Sequence, residues 1–112
     1  MSELRDKRIK FTALLCELIE WGNEEDGWEI ALGRDYDEGD PDERLRHMPG
    51  SLHYLGLAND LCLYINGVYQ TTTEAYKPLG ECWKSLGPDC RWGGEFKKPD
   101  GNHFSLTYRG KS

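Results

Sequence analysis

The sequence is poor in β-branched residues, with one valine and four isoleucines against fourteen leucines. Strands favour β-branched side chains, so an all-β sandwich is excluded and a mixed α+β domain with few strands is expected. There is no long apolar run. The longest, Leu61 to Ile65, is interrupted far short of the ~20 residues that a transmembrane helix needs. There is no excess of positive charge: fourteen basic residues face twenty acidic ones, a net charge of -6. A nucleic-acid partner is therefore excluded, because tracking phosphates requires clustered Lys and Arg. No Cys-x-x-Cys pair occurs, which removes a four-cysteine zinc site. Cys16 and Cys62 lie on apolar stretches and are read as small core residues. Cys82 and Cys90 could meet across a loop but are expected to be free thiols. The N-terminus lacks the uncharged apolar segment of a secretory signal, since Glu17 and Glu20 break the only candidate. The expectation is a chain made in the cytoplasm without a signal peptide.

The 112 residues fit one domain, expected to span 1–112. Residues 5–21 read as an amphipathic helix, because Phe11, Leu14, Leu15 and Leu18 share one helical face. Gly22 is positioned to end it with a left-handed cap. Residues 28–32 alternate as a short strand. Asp40, Pro41 and Glu43 form an N-cap pattern that predicts a short helix over 41–47. Residues 51–59 read as an irregular link, 60–65 as the best strand, and Asn66-Gly67 as a two-residue hairpin turn. A second helix is predicted over 74–86, with Pro78 in its first turn and Gly87-Pro88 as its stop. Residues 89–102 read as a glycine-rich loop and 103–108 as a final strand. The predicted architecture is a short antiparallel sheet with flanking helices.

Chemistry can reside in few places. His53 precedes a glycine turn, and Asp60 opens a buried strand seven residues later. Imidazole and carboxylate are both ordinary zinc ligands, and a catalytic zinc keeps three protein ligands and one open position. His103, at the start of the last strand, is the candidate third ligand. On spacing alone a satisfied surface histidine is the commoner reading. Asp100 lies in Lys98-Pro99-Asp100-Gly101, a composition typical of tight turns. It is also placed to act as a general base. Glu95 is a rival base or a solvated carboxylate. Ser51 either donates a hydrogen bond to substrate or caps a turn. Trp92 either lines a groove or anchors a loop. The acidic run from Asp35 to Glu43 lacks the spacing of a calcium loop and reads as a solvated face.

Ser51-x-His53-x-x-Gly56-x-Ala58-x-Asp60 resembles the motif of zinc peptidases that act on peptidoglycan. This family includes D-alanyl-D-alanine carboxypeptidases and the L-alanyl-D-glutamate endopeptidases of phage endolysins. Cys90 to Phe96, followed by Asp100 to Phe104, is similar to the distal segment of the endolysins. The resemblance implies the small α+β fold shared with the hedgehog signalling domain. It implies zinc held by His53, Asp60 and His103, with Asp100 as the acid–base residue. Many relatives carry Tyr-Arg at the end of the preceding strand, with the arginine holding substrate. Here that place reads Tyr36-Asp37, and Arg34, Arg44 or Arg46 are candidate substitutes.

The expected function is cleavage of the peptidoglycan stem peptide, at the L-Ala–D-Glu bond, by a monomer without a separate wall-binding domain. Substrate contacts are assigned to Ser51, Trp92 and Arg34. A phage lysis enzyme would accumulate in the cytoplasm and reach the wall after release. The alternatives are a D,D-carboxypeptidase and a catalytically silent muropeptide-binding module.

Overall fold

A computed structural model describes residues 2–33, 52–53 and 55–112. Helix α1 covers Glu3–Asn23, followed by strand β1 (Trp28–Leu32). Strands β2 (Ala58–Ile65) and β3 (Val68–Tyr69) form a hairpin, and helix α2 covers Thr73–Ser85. Strand β4 (Cys90–Trp92) leads through a 3-10 turn at Gly93–Glu95 to strand β5 (His103–Leu106). The sheet order is β1-β2-β5-β4, with β3 paired to β2, and every pairing is antiparallel. The α+β class expected from the leucine-rich composition is the one observed. The helix expected over 41–47 lies outside the described residues.

Helix α1 begins two residues before its predicted start. The Ser2 side chain accepts a hydrogen bond from the Arg5 amide, and Glu3 and Asp6 occupy the positive end of the helix dipole. Phe11, Leu15 and Leu18 are buried at helical spacing. Gly22 does not cap the helix. It is an interior helical residue, and a Cβ there would collide with the Ile30 Cδ1. The missing side chain therefore brings α1 onto β1. Chain reversal follows at Gly27, which has a φ of 79°.

The Asn66-Gly67 turn forms as predicted. Both residues have positive φ, 50° and 81°, as a type I′ turn requires. Strand β2 starts at Ala58 rather than Asp60, because Ala58 and Asn59 already pair with Ser105 and Phe104. Helix α2 starts at Thr73, capped by the Thr72 hydroxyl accepting from the Ala75 amide. Pro78 is consequently one turn inside the helix rather than in its first turn, and supplies no amide to the Glu74 carbonyl. Strand β4 replaces the start of the predicted 89–102 loop. The last strand ends at Leu106, after which only Tyr108 and Lys111 form a bridge.

Both helices pack on one face of the sheet. Trp83 of α2 is fully buried, edge-on to Phe11 at 5.8 Å and to Phe104 at 6.3 Å. Its indole N–H is shared between the carbonyls of Arg91 and Ser105, each at 3.1 Å. One side chain thereby ties α1, α2, β4 and β5 together. Tyr76 plays a similar part at the hairpin: its hydroxyl accepts from the Leu63 amide and donates to the Gln70 carbonyl. All four cysteines are free thiols. Cys16 is exposed and Cys62 half-buried, contrary to the core role expected of them, while Cys90 is buried. Cys16 falls on the α1 face turned away from the line of Phe11, Leu15 and Leu18. Cys62 lies on the sheet face opposite the helices.

Gly80 packs directly under the Trp92 ring, where an added Cβ would overlap it. Gly80→Ala gains about 1 kcal/mol in helix propensity but overpacks a rigid aromatic contact, which costs about 1–3 kcal/mol. Net destabilisation is the expected result in urea unfolding, and an unchanged midpoint would show that the contact relaxes freely. Alkaline pH gives a second check. Burial pushes the Tyr76 hydroxyl up to about 12 and the Cys90 thiol up to about 11. Both raised values stabilise the neutral forms in the fold. That stability is complete below the ordinary value of each group and is lost as pH climbs through the folded one. The urea midpoint should hold from pH 7 to about 9 and fall between about 9 and 12. A flat profile across that window would contradict the burial of both groups.

Candidate metal centre

Three sets of backbone constraints hold His53, Asp60 and His103 in place. The turn carrying His53 is closed by hydrogen bonds from the Leu55 and Leu57 amides to the Leu52 carbonyl, and from the Gly56 amide to the His53 carbonyl. Gly56 permits this turn with a φ of 73°. Asp60 is gripped through its backbone, since its carbonyl accepts from the Gly33 amide at 2.6 Å. Asp60 also stands directly opposite His103 in the antiparallel pairing of β2 with β5. Opposed residues project to the same side of a sheet. Phe104 meets Trp83 on the helical side, so Asp60 and His103 project to the other.

His53 reaches the same point from its turn. Its Nε2 lies 3.2 Å from His103 Nδ1 and 3.5 Å from Asp60 Oδ1. One ligand atom from each residue lies within 4.8 Å of the others. The His53 and Asp60 side chains are 4% and 14% exposed, and His103 is 6% exposed. Phe96 packs against the His103 ring at 5.1 Å. A tetrahedral ion with bonds of about 2.0–2.1 Å sets its ligand atoms about 3.4 Å apart. The two measured separations from His53 Nε2 match that edge length. Two imidazole nitrogens and a carboxylate oxygen are also a donor set that suits zinc and related divalent ions. The residues fit a metal.

The other expected site residues are placed differently. Asp100 is exposed, three residues before His103, and is not one of the three converging side chains. It lines a polar cavity of about 200 Å³ with Thr72, Thr73, Tyr76 and Asn102. Its backbone braces the site: its amide donates to the Gly93 carbonyl at 2.8 Å and its carbonyl accepts from the His103 amide at 3.1 Å. Glu95 is turned toward α2, where its carboxylate pairs with Lys84 at 2.8 Å. The Lys84 ammonium is raised above its ordinary value, chiefly by that bond. Trp92 is 5% exposed and does not line a groove. Its indole donates to the Gly101 carbonyl at 2.7 Å, which anchors the loop running to His103. Ser51 and Arg34 lie outside the described residues.

Two contributors escaped the sequence reading. Phe96 covers His103, and its only local signal was an aromatic residue in the predicted glycine-rich loop. Gly93 lies so close to the Asp100 carbonyl and His103 Cβ that a side chain would clash there. This contact depends on the unrecognised β4, so no local pattern announces it.

A family model described as D-alanyl-D-alanine carboxypeptidase matches residues 46–106. The chain belongs to that family. The match contains His53, Asp60 and His103, and the peptidases of this family are metal-dependent and act on peptides of peptidoglycan. No curated protein matches the sequence.

Removing one of three ligands should cost more than the 10- to 100-fold typical of losing a residue that only supports a ligand. His53→Ala and His103→Ala are therefore expected to weaken divalent-metal binding at least ~100-fold in chelator competition. Wild-type affinity in either variant would remove that histidine from the centre.

Proposed function

We propose that the chain is a zinc-dependent peptidoglycan endopeptidase of the endolysin type, hydrolysing the stem peptide between L-alanine and D-glutamate. The observation that carries this reading is the convergence of His53, Asp60 and His103 within the span matched by the peptidase family. Three protein ligands leave a fourth position for chemistry. The endolysin assignment draws on the likeness of Cys90 to Phe96 and Asp100 to Phe104 to the distal segment of those enzymes. It carries with it a chain that acts on the cell wall after release from the cytoplasm.

A zinc ion bound by the trio supplies Lewis acidity, polarising a carbonyl and lowering the pKa of water from ~15.7 towards ~7. Asp100 accepts a proton from the attacking water. The hydroxyl adds to the alanyl carbonyl carbon, the C–N bond breaks, and Asp100 returns the proton to the departing nitrogen. Exposure suits Asp100 to this exchange, and its backbone link to the His103 amide keeps it beside a ligand. Glu95 is less suited, because Lys84 already holds its carboxylate. Ser51 is assigned to orienting the peptide. His53, Asp60 and His103 position the metal and are consumed in no proton transfer.

The family description itself favours a second reading, removal of a terminal D-alanine. Mass spectrometry of products from purified peptidoglycan and from a pentapeptide precursor separates the two. New amino termini on D-glutamate support the endopeptidase, and free D-alanine supports the carboxypeptidase. Intact peptides with zinc-loaded protein would leave only a muropeptide-binding module. Asp100→Asn should lower turnover about 10²- to 10⁴-fold with the zinc content unchanged. Full activity in that variant would move the proton-transfer role to another residue.

A further inference from the structure

The sheet face opposite the helices carries more than the metal centre. Along β2, Asp60, Cys62 and Tyr64 alternate with Leu61 and Leu63, which are buried under the helices, so Tyr64 shares the face of Asp60 and His103. Four positions separate Tyr64 from Asp60, about 13 Å at the rise of a strand. Tyr69 stands directly opposite Tyr64 on β3, and the two rings lie 5.4 Å apart, inclined at 43°. They are 37% and 46% exposed, which makes a shallow aromatic platform facing solvent. Tyr69 also lines the polar cavity of about 200 Å³ that holds Asp100, with Thr71, Thr73 and Asn102 in the same wall. Asn102 immediately precedes His103, so the cavity continues the platform towards the metal centre. No lysine or arginine of the described residues lines it, which tells against a phosphate or carboxylate ligand. Two aromatic faces beside hydroxyl, amide and carboxylate groups match a neutral polyhydroxylated ring. The C–H edge of a pyranose rests on an electron-rich ring face, and its hydroxyls meet the polar wall.

We propose that the platform and the cavity together form a saccharide-binding surface, which holds the amino-sugar chain to which the stem peptide is attached. The proposal rests on the peptidase reading and extends it from the peptide to the sugar that bears it. In peptidoglycan the L-alanine is joined to a lactyl group on the sugar, so a cut after that alanine lies one residue from the ring. The lactyl carboxyl is spent in that amide, and the ring is uncharged, as the lining of the cavity requires. Stacking and neutral hydrogen bonds carry no net charge across the contact, so binding is insensitive to salt.

The test uses the full chain loaded with zinc and the disaccharide of N-acetylglucosamine and N-acetylmuramic acid. Its lactyl carboxyl is capped as a methylamide, so that the probe carries neither peptide nor charge. Binding is followed by amide chemical shifts in an NMR titration, which should saturate and centre on Tyr64, Tyr69, Thr71 and Asn102. Tyr64→Ala combined with Tyr69→Ala should weaken binding about tenfold or more. Tyr64→Phe combined with Tyr69→Phe should retain most of it, because the rings carry the stacking. The same spectra verify that each variant is folded. No saturable shift in the wild type, shifts centred elsewhere, a strong salt dependence, or equal affinity in the double alanine variant would overturn the surface. Cleavage is scored separately, on a stem peptide with and without the disaccharide attached. The attached form should show the higher kcat/KM, and the double alanine variant should lose that advantage. Absent cleavage of both forms, with the disaccharide still bound at the tyrosines, would reject the peptidase reading and leave the saccharide surface standing.

Discussion

The pairing of Asp60 with His103 is the interaction on which the centre depends. Strand side chains alternate between faces, so a shift of one residue between β2 and β5 would turn one of the two into the helical core. The register is held from several directions. The Leu61 amide donates to the Asn102 carbonyl, and the Leu106 amide to the Leu57 carbonyl, on either side of the pair. Trp83 then clamps β5 to β4 from beneath. The geometry of the converging side chains is thus fixed by backbone hydrogen bonds and a buried aromatic residue, neither of which takes part in the chemistry of the trio.

This division of labour assigns different duties to the two sides of the sheet. The helical side is built for packing, with Leu18, Leu61, Leu63, Leu79, Trp83 and Phe104 fully buried. The other side carries the polar centre, partly screened by Phe96. A buried histidine pair and carboxylate would be costly without compensation, because burying charge demands partners. The sequence accepts that cost at one location and surrounds it with an otherwise regular core. Such a local conflict between stability and composition is characteristic of functional sites.

Local chemistry was readable in the sequence, and tertiary contact was not. The Asn66-Gly67 turn, β1 and the amphipathic face of α1 are each encoded within a few neighbouring residues. His53 and Asp60 were visible as candidate ligands because a single motif holds both. His103 was visible as a candidate, but its partnership with Asp60 depends on strand register, which no local pattern specifies. Gly22 was misread because a glycine near a helix end resembles a cap, whereas its actual role is set by Ile30 on another element. Strand β4 was missed because three residues cannot display alternation. Trp92 offered two roles from its neighbours alone, and only the donor–acceptor contact with Gly101 decides between them.

The two histidines are separated by fifty positions along the chain and come within 3.2 Å only in the native fold. An extended chain has no comparable grouping of donors, so ion occupancy and foldedness are a linked equilibrium. An ion at a hundredfold excess over its dissociation constant adds about 2.7 kcal/mol to the native state, a large share of the ~5–15 kcal/mol that holds a typical domain together. An ion held by this trio would thus act on the persistence of the fold as well as on the chemistry of the site.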